Sequence, residues 1–368
     1  MERMALVEVR ELTARGWTVD GWFAHGEGDA AFKEWALASG VAVQANSVVR
    51  SVLEPVRPWS SVWQLSRAIR HTGARIVNIH YSGGHISLKD VLAVRLAGAR
   101  CIATVHHPVP WEQSGKRKRL LTWLAGMGCA SVLVHSKAVR AVVAATGMTP
   151  SKIHRVPPGV EVPASRGLSK EDARATLGLP AGAFVVGCAA RLVPHKRVDQ
   201  LIEAVARTSR EGRRTVLVVL GDGPERERLE RLAGAIAPGD VRFLGHVLGE
   251  PSEFWASLDA FALPSVEEGF GLVFLEAALR GVPSVGAAVG GVPEAILHGD
   301  TGLLIPPDDA DALTEALFRL RDDEGLRQRL GAAGRARARE QFSERAMGDR
   351  LEAVLQAGRP ARLAGPKG

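Results

Sequence analysis

Apolar and polar positions along this chain alternate between two periods. Short continuous apolar runs, such as 184–190 and 215–221, are followed by longer stretches such as 198–210, where apolar residues return every three or four positions. The first pattern reads as strands buried on both faces and the second as amphipathic helices. Their alternation along the chain predicts an α/β protein with parallel sheets. In the first half, strands are expected at 18–24, 41–44, 75–80, 101–106 and 131–135, with helices at 63–71 and 87–97. In the second half, strands are expected at 184–190, 215–221, 241–244, 260–263, 284–287 and 302–305, with helices such as 198–210 and 224–237. The step from Val156-Pro-Pro-Gly-Val160 through 161–167 reads as a linker. The expected domains are therefore 1–162 and 163–340, followed by a last helix within 341–357 and a disordered Gly-, Pro-, Ala- and Arg-rich tail at 358–368.

Composition narrows the class. A length of 368 residues supports two domains with their own cores. No apolar run is long enough to span a membrane, and no charged-then-apolar signal segment opens the sequence. Cys101, Cys129 and Cys188 stand singly in apolar stretches, as reduced core thiols of a cytoplasmic protein would. The net charge of +7 points to an anionic partner. Nucleic acid is not expected, because the basic residues are not interleaved with aromatics along a binding module. An anionic membrane surface fits better. Lys116, Arg117, Lys118 and Arg119 precede Leu120-Leu-Thr-Trp123-Leu124, a pattern suited to peripheral attachment at the inner face of a membrane. The competing reading is a solvated helix start whose Leu and Trp side chains are core.

The candidate chemistry concentrates in Ser265-Val-Glu-Glu-Gly-Phe-Gly-Leu-Val-Phe-Leu-Glu276. This stretch follows a strand ending in Pro264 and enters a helix stopped by Gly281 and Pro283. Glu268 and Glu276 flank a glycine loop. Gly269 and Gly271 leave bare backbone there for a ligand. The N–H groups of the helix's first turn, around Phe270, Gly271 and Leu272, favour anionic or hydroxyl oxygens. A nucleotide sugar matches this set, with phosphates for the N–H groups and diols for the carboxylates.

The stretch resembles the Glu-x7-Glu signature of retaining glycosyltransferases of family 4, which have the GT-B fold. Other motifs of that family follow in order. Ala190-Arg191-Leu-Val-Pro-His-Lys196 resembles its Gly-Arg-Leu-x-x-x-Lys-Gly loop, with Arg197 where the family usually has glycine. Leu220-Gly-Asp-Gly-Pro224, Val241-Arg-Phe-Leu-Gly-His-Val247, Gly290-Gly-Val-Pro-Glu294 and Gly299-Asp-Thr-Gly302 resemble its turns and closing loops. The resemblance covers roughly residues 2–357. It implies two Rossmann-like domains facing a cleft, with the C-terminal helix crossing back to the N-terminal domain.

The resemblance also implies roles. Arg191 and Lys196 would stabilise a departing diphosphate without a metal or other cofactor. Glu276 would bind ribose hydroxyls, and Glu268 would contact the transferred sugar. Gly245 and Val247 would flank the nucleoside together with the turn at 221–224. In the first domain His106, at a strand end, would face the donor sugar, with His80, His107 and the Gly83-Gly84 turn shaping an acceptor pocket. His195 would add a phosphate donor. Ser136 reads as a helix cap. The implied reaction moves a sugar from a UDP- or GDP-sugar to the hydroxyl of a glycan or lipid-linked acceptor, with retained configuration. The rivals are a non-catalytic donor-binding or scaffold protein and a nucleotide-sugar epimerase of the same fold.

The beginning of the chain departs from the pattern. A doubly wound domain opens with a strand and a glycine turn, but residues 1–12 already show a helical pattern. The expectation is that a first, central strand is missing and that the natural protein starts upstream of Met1; the alternative is a lineage that lost the strand and tolerates its loss.

Overall fold

The computed structural model describes residues 2–19, 21–23, 43–45, 60–81, 85–107, 116–161, 167–210, 214–247 and 250–357. The Gly83-Gly84 turn, residues 111–115, part of the linker and the tail lie outside the described residues. The chain divides into two units, Met1–Gly159 with Glu344–Gly368, and Val160–Ser343.

The first unit runs α1 (Glu2–Ala14), β1 (Gly21–Phe23), β2 (Val43–Ala45), α2 (Ser60–Thr72), β3 (Ile76–Tyr81), α3 (Leu88–Leu96), β4 (Arg100–Val105), α4 (Lys116–Gly128), β5 (Ser131–Val134), α5 (Lys137–Ala145) and β6 (Ile153–Arg155). All its strand pairings are parallel, in a sheet of order β3-β4-β5-β6 and a separate β1-β2 pair. Among the described residues no strand joins β1 to β3. Every residue of β3 is half-buried, whereas β5 is buried throughout. The sequence reading missed β6, whose three residues, Ile-His-Arg, carry no apolar run. Ser136 does cap α5: its hydroxyl accepts the Val139 N–H at 3.1 Å. The three cysteines are free and buried.

The closing helix, Glu344–Gln356, belongs to this first unit. Its apolar stripe, Met347, Leu351 and Leu355, is buried. Its polar side ties to α1 and the turn after it. The Arg15 guanidinium binds Asp349 at 2.8 Å, and the Trp17 indole N–H donates to Glu352 at 3.0 Å. Arg100, at the start of β4, donates to the Leu355 carbonyl at 3.0 Å. This is the helix that crosses back to the N-terminal domain.

The second unit runs α6 (Lys170–Thr176), β7 (Phe184–Ala189), α7 (Val198–Arg210), β8 (Thr215–Leu220), α8 (Arg226–Ile236), β9 (Val241–Gly245), α9 (Ser252–Ser257), β10 (Ala260–Leu263), α10 (Leu272–Leu279), β11 (Ser284–Ala287), α11 (Val292–Ala295), β12 (Gly302–Ile305), α12 (Ala310–Asp322) and α13 (Glu324–Gln341). Its strands form one parallel sheet of order β12-β11-β10-β7-β8-β9. The residues of β7 and β10 are all buried, as expected of central parallel strands covered on both faces. Ser169, Asp309 and Asp323 cap α6, α12 and α13 with side-chain oxygens. From β7 the chain first builds outward through β8 and β9, then returns to add β10 on the other side of β7. The order therefore reverses between β7 and β10. Connections leaving these two strands diverge at their carboxyl ends and open a crevice there.

Because the closing helix is part of the first unit's core, Leu351→Ala is expected to destabilise that unit by about 2–4 kcal/mol. Denaturant unfolding checks this, and an unchanged midpoint would show that the helix is a loosely attached tail.

Candidate functional site

In the second unit, the loops leaving β7 and β10 carry the two motifs that the sequence singled out. After β7 the chain makes a tight 3-10 turn at Pro194–Lys196. After β10 it passes Pro264 and Ser265 to reach the glutamate loop. The Val266 N–H donates to the His195 carbonyl at 2.9 Å, which joins the two loops by backbone. Side chains then meet across the same seam. Lys196 Nζ lies 2.5 Å from Glu268 Oε1, and the Ser265 hydroxyl donates to that oxygen at 3.3 Å. The pair is largely withdrawn from water, with side-chain exposures of 15% and 9%. Deleting one partner would leave an uncompensated charge, at a cost of about 3–5 kcal/mol.

Burial separates the adjacent acids. Glu268 is buried and Glu267 exposed, in line with the family spacing. Glu276 is buried on α10. Gly271 is the N-cap of that helix, with left-handed backbone and no capping side chain. The first-turn N–H groups are therefore not occupied by a side-chain cap. Gly269, Phe270 and Gly271 are buried and Leu272 is half-buried. Arg191 is exposed and makes no ion pair among the described residues. His195 is half-buried beside Lys196. At the end of β9, Gly245 accepts the Gly221 N–H at 2.8 Å, and Val247 is 41% exposed.

The glycines of the closing motifs shape these loops through close backbone approach. A Cβ on Gly221 would stand 2.0 Å from the Ala190 carbonyl oxygen, so this turn packs on the start of the Arg191 loop. A Cβ on Gly290 would stand 1.7 Å from the Glu268 carbonyl oxygen, and Gly290 has φ +52°. Gly290 therefore supports the glutamate loop directly. Arg197 sits in the left-handed region, with φ 53° and ψ 38°, where the family's glycine would be relaxed. An L-residue costs roughly 1–2 kcal/mol there. Arg197 Nε lies 2.7 Å from Asp308 Oδ1, but its N–H does not point at the oxygen, so the contact is coulombic. The arginine preserves the glycine's turn at the expense of backbone strain.

In the first unit, His106 follows β4 and His80 lies near the end of β3. Their rings are stacked, with His80 Nδ1 2.9 Å from His106 Nε2. His107 is exposed. His106 is held neutral: burial first, then neighbouring His135 and His80, push its pKa well below the usual histidine value. Burial likewise lowers that of His135, whose Nδ1–H donates to the Val156 carbonyl at 2.9 Å. The sequence reading missed Glu8, Asn78, Thr104 and His135, which complete this polar cluster. A signal was present for Glu8: it interrupts the apolar i, i+4 stripe Met4–Glu8–Leu12 of α1.

Among the described residues, no group of three or more His, Cys, Asp or Glu side chains is arranged to hold a metal. No helix there is long and apolar enough to cross a membrane. A depression on the second unit lined by Trp255, Asp259 and Arg280 shares no lining residue with the glutamate and lysine loops.

Two parallel-sheet units, the second carrying Lys196 and Glu268 at its switch point, are the architecture of the GT-B fold. Comparison with known proteins agrees. Residues 169–337 match the glycosyl transferases group 1 family and residues 1–162 match glycosyltransferase family 4. The chain is 31% identical, over 92% of its length and 90% of the relative's, to the GDP-mannose-dependent alpha-(1-6)-phosphatidylinositol monomannoside mannosyltransferase of Mycolicibacterium smegmatis. It is 32% identical, over 74% of each chain, to the GDP-mannose-dependent mannosyltransferase of Corynebacterium glutamicum that acts on the monoacylated form of that glycolipid. In fold it is similar to HepE of Anabaena, solved with UDP and glucose, with TM-score 0.78, 21% identity and coverage of 97% and 96% of the two chains. The chain belongs to glycosyltransferase family 4 and is a glycosyltransferase.

Gly290→Ala is expected to cost more than about 1 kcal/mol, since the new Cβ meets both a strained backbone and the Glu268 carbonyl. Denaturant unfolding of the variant measures it, and unchanged stability would contradict the packing.

Proposed function

We propose that the chain transfers a hexosyl group, with retention, from a nucleoside diphosphate sugar to a hydroxyl of a membrane-displayed glycolipid. The Lys196–Glu268 contact at the switch point carries this reading. A diphosphate arriving at Lys196 competes with the carboxylate for the cation. When phosphate takes the lysine, Glu268 is released to the sugar and its developing positive charge. Arg191, with a planar fork, takes further phosphate oxygens. These fixed cations stabilise the departing nucleotide more than the bound donor, so the chemistry needs no metal. The N–H groups at the N-terminus of α10 donate to phosphate or sugar oxygens, and Glu276 binds the ribose diol. Retention proceeds by front-face attack, the leaving phosphate helping to take the acceptor proton. The names of the mannosyl-transferring relatives favour GDP-mannose as donor and a phosphatidylinositol mannoside as acceptor.

Donor binding is tested by calorimetry with GDP-mannose and a panel of UDP-sugars. Glu276→Ala is expected to lower donor affinity by at least about tenfold, the loss of one or two good hydrogen bonds. Unchanged affinity would remove Glu276 from the site. Lys196→Ala is expected to cut turnover further than affinity, and near wild-type turnover would show that the leaving group has another partner.

A glycolipid acceptor requires access to a membrane surface, and α4 offers one. Leu120, Trp123 and Met127 recur along one side of the helix and are 55%, 37% and 51% exposed. Thr122, Ala125 and Gly126 on the other side are buried. Against the reading in which the Leu and Trp residues of this stretch are core, Leu120, Leu121 and Trp123 are exposed, as is Leu96 at the end of neighbouring α3, while Leu124 is half-buried. Lys116, Arg117 and Lys118 are exposed in the first turn of α4. We read this face as a peripheral docking surface for anionic lipid. The chain is expected to float with vesicles containing acidic lipid and not with neutral ones, and to be released by salt. Binding that survives Leu120→Ser with Trp123→Ser would contradict the assignment.

A further inference from the structure

Among the described residues, two that are not glycine have left-handed backbone: Arg197, with φ 53°, and Asp308, with φ 59°. They meet each other, Arg197 Nε standing 2.7 Å from Asp308 Oδ1. Left-handed backbone is costly for an L-residue, and such strain persists only where surrounding contacts hold it. Each strained residue follows a strand of the second unit's sheet and leads into a helix. Arg197 closes the Lys196 turn by donating its N–H to the Pro194 carbonyl at 3.2 Å, and its own carbonyl accepts the Leu201 N–H of α7 at 3.3 Å. Asp308 stands between β12 and Asp309, the cap of α12. The Gln200 side-chain amide, on α7, donates to Asp308 Oδ1 at 3.3 Å. Further along the same two helices Arg207 pairs with Asp311 at 2.7 Å. Among the described residues the Arg197 guanidinium has no charge partner other than Asp308 and no hydrogen-bond partner. Its charge is therefore committed to that one carboxylate. The position of Lys196 depends on the same joint. The Leu201, Ile202 and Val205 side chains fix α7 in the core, so a change of φ at Arg197 would swing the turn before it and carry Lys196 off Glu268.

We propose that Asp308 and Arg197 are positioning residues: their ion pair holds the strained turn that presents Lys196 to the leaving diphosphate. A glycine at 197 would hold the same turn without strain and would need no such pair. Asp308 therefore matters to the turn only while residue 197 is the strained arginine. The effect on turnover rests on the glycosyl-transfer reading; the hold on the turn does not. With side-chain exposures of 36% and 50%, the pair shifts the turn's equilibrium by up to about fivefold.

Hydrogen exchange at the Lys196 and Arg197 amides of the full chain reads the turn, and steady-state kinetics with GDP-mannose reads the lysine. Asp308→Asn removes the charge and keeps a side chain that tolerates left-handed backbone. It should speed exchange at both amides by about threefold to fivefold and lower kcat by a similar factor, with donor KM less affected. Arg197→Ala keeps the strain and loses the pair, so it should exchange at least as fast as Asp308→Asn. Arg197→Gly loses both and should exchange more slowly than Arg197→Ala. In either Arg197 variant, adding Asp308→Asn should change neither exchange nor kcat further. Unchanged exchange in Asp308→Asn, or an equal effect of that substitution with and without Arg197, overturns the proposal. Faster exchange with unchanged kcat overturns the positioning role. A wild-type chain with the expected exchange but no turnover of GDP-mannose counts against the proposed reaction and leaves the hold on the turn standing.

Discussion

The contact between Lys196 and Glu268 depends on strand order. In the second unit's sheet β7 and β10 are neighbours although two strands and three α-helices separate them in sequence. The reversal between them sends one loop each way, and the 2.5 Å ion pair closes the seam they leave. The surrounding features follow from that pairing. The Val266 to His195 backbone bond aligns the loops. Gly290 gives the Glu268 carbonyl room, and Gly221 does the same for Ala190. Even Arg197, strained in a left-handed conformation, keeps the lysine's turn in the form a glycine would give.

The first unit solves a different problem. Its sheet carries Asn78, His80, Thr104 and His106 on one face, and the helix against that face presents Glu8 from an otherwise apolar stripe. Burial keeps His106 uncharged. A neutral imidazole is then directional, so the hydrogen-bond order among its neighbours decides whether it gives or accepts a proton-bearing contact. The closing helix, held through Arg15 and Trp17, stabilises the α1 end of this arrangement from the far end of the chain.

Much of this was legible in the sequence. The strands of the second unit appear as uninterrupted apolar runs, because a parallel sheet covered on both faces demands them, and the glutamate loop is marked by its own glycines. The spacing that selects Glu268 over Glu267 agrees with their burial. Short β6 was not legible, since three mixed residues pair only because β5 offers an edge. The cluster around Glu8 was missed because its members lie far apart in sequence and meet only through register. The exposure of the α4 apolar side was left open by periodicity, which gives the stripe but not which side faces water.

A crystal structure with guanosine diphosphate soaked in tests the central claim most directly. Diphosphate oxygens are expected at Lys196 Nζ, with the lysine drawn off Glu268 and the ribose hydroxyls on Glu276. A nucleotide bound elsewhere, with the Lys196–Glu268 pair intact, would contradict it.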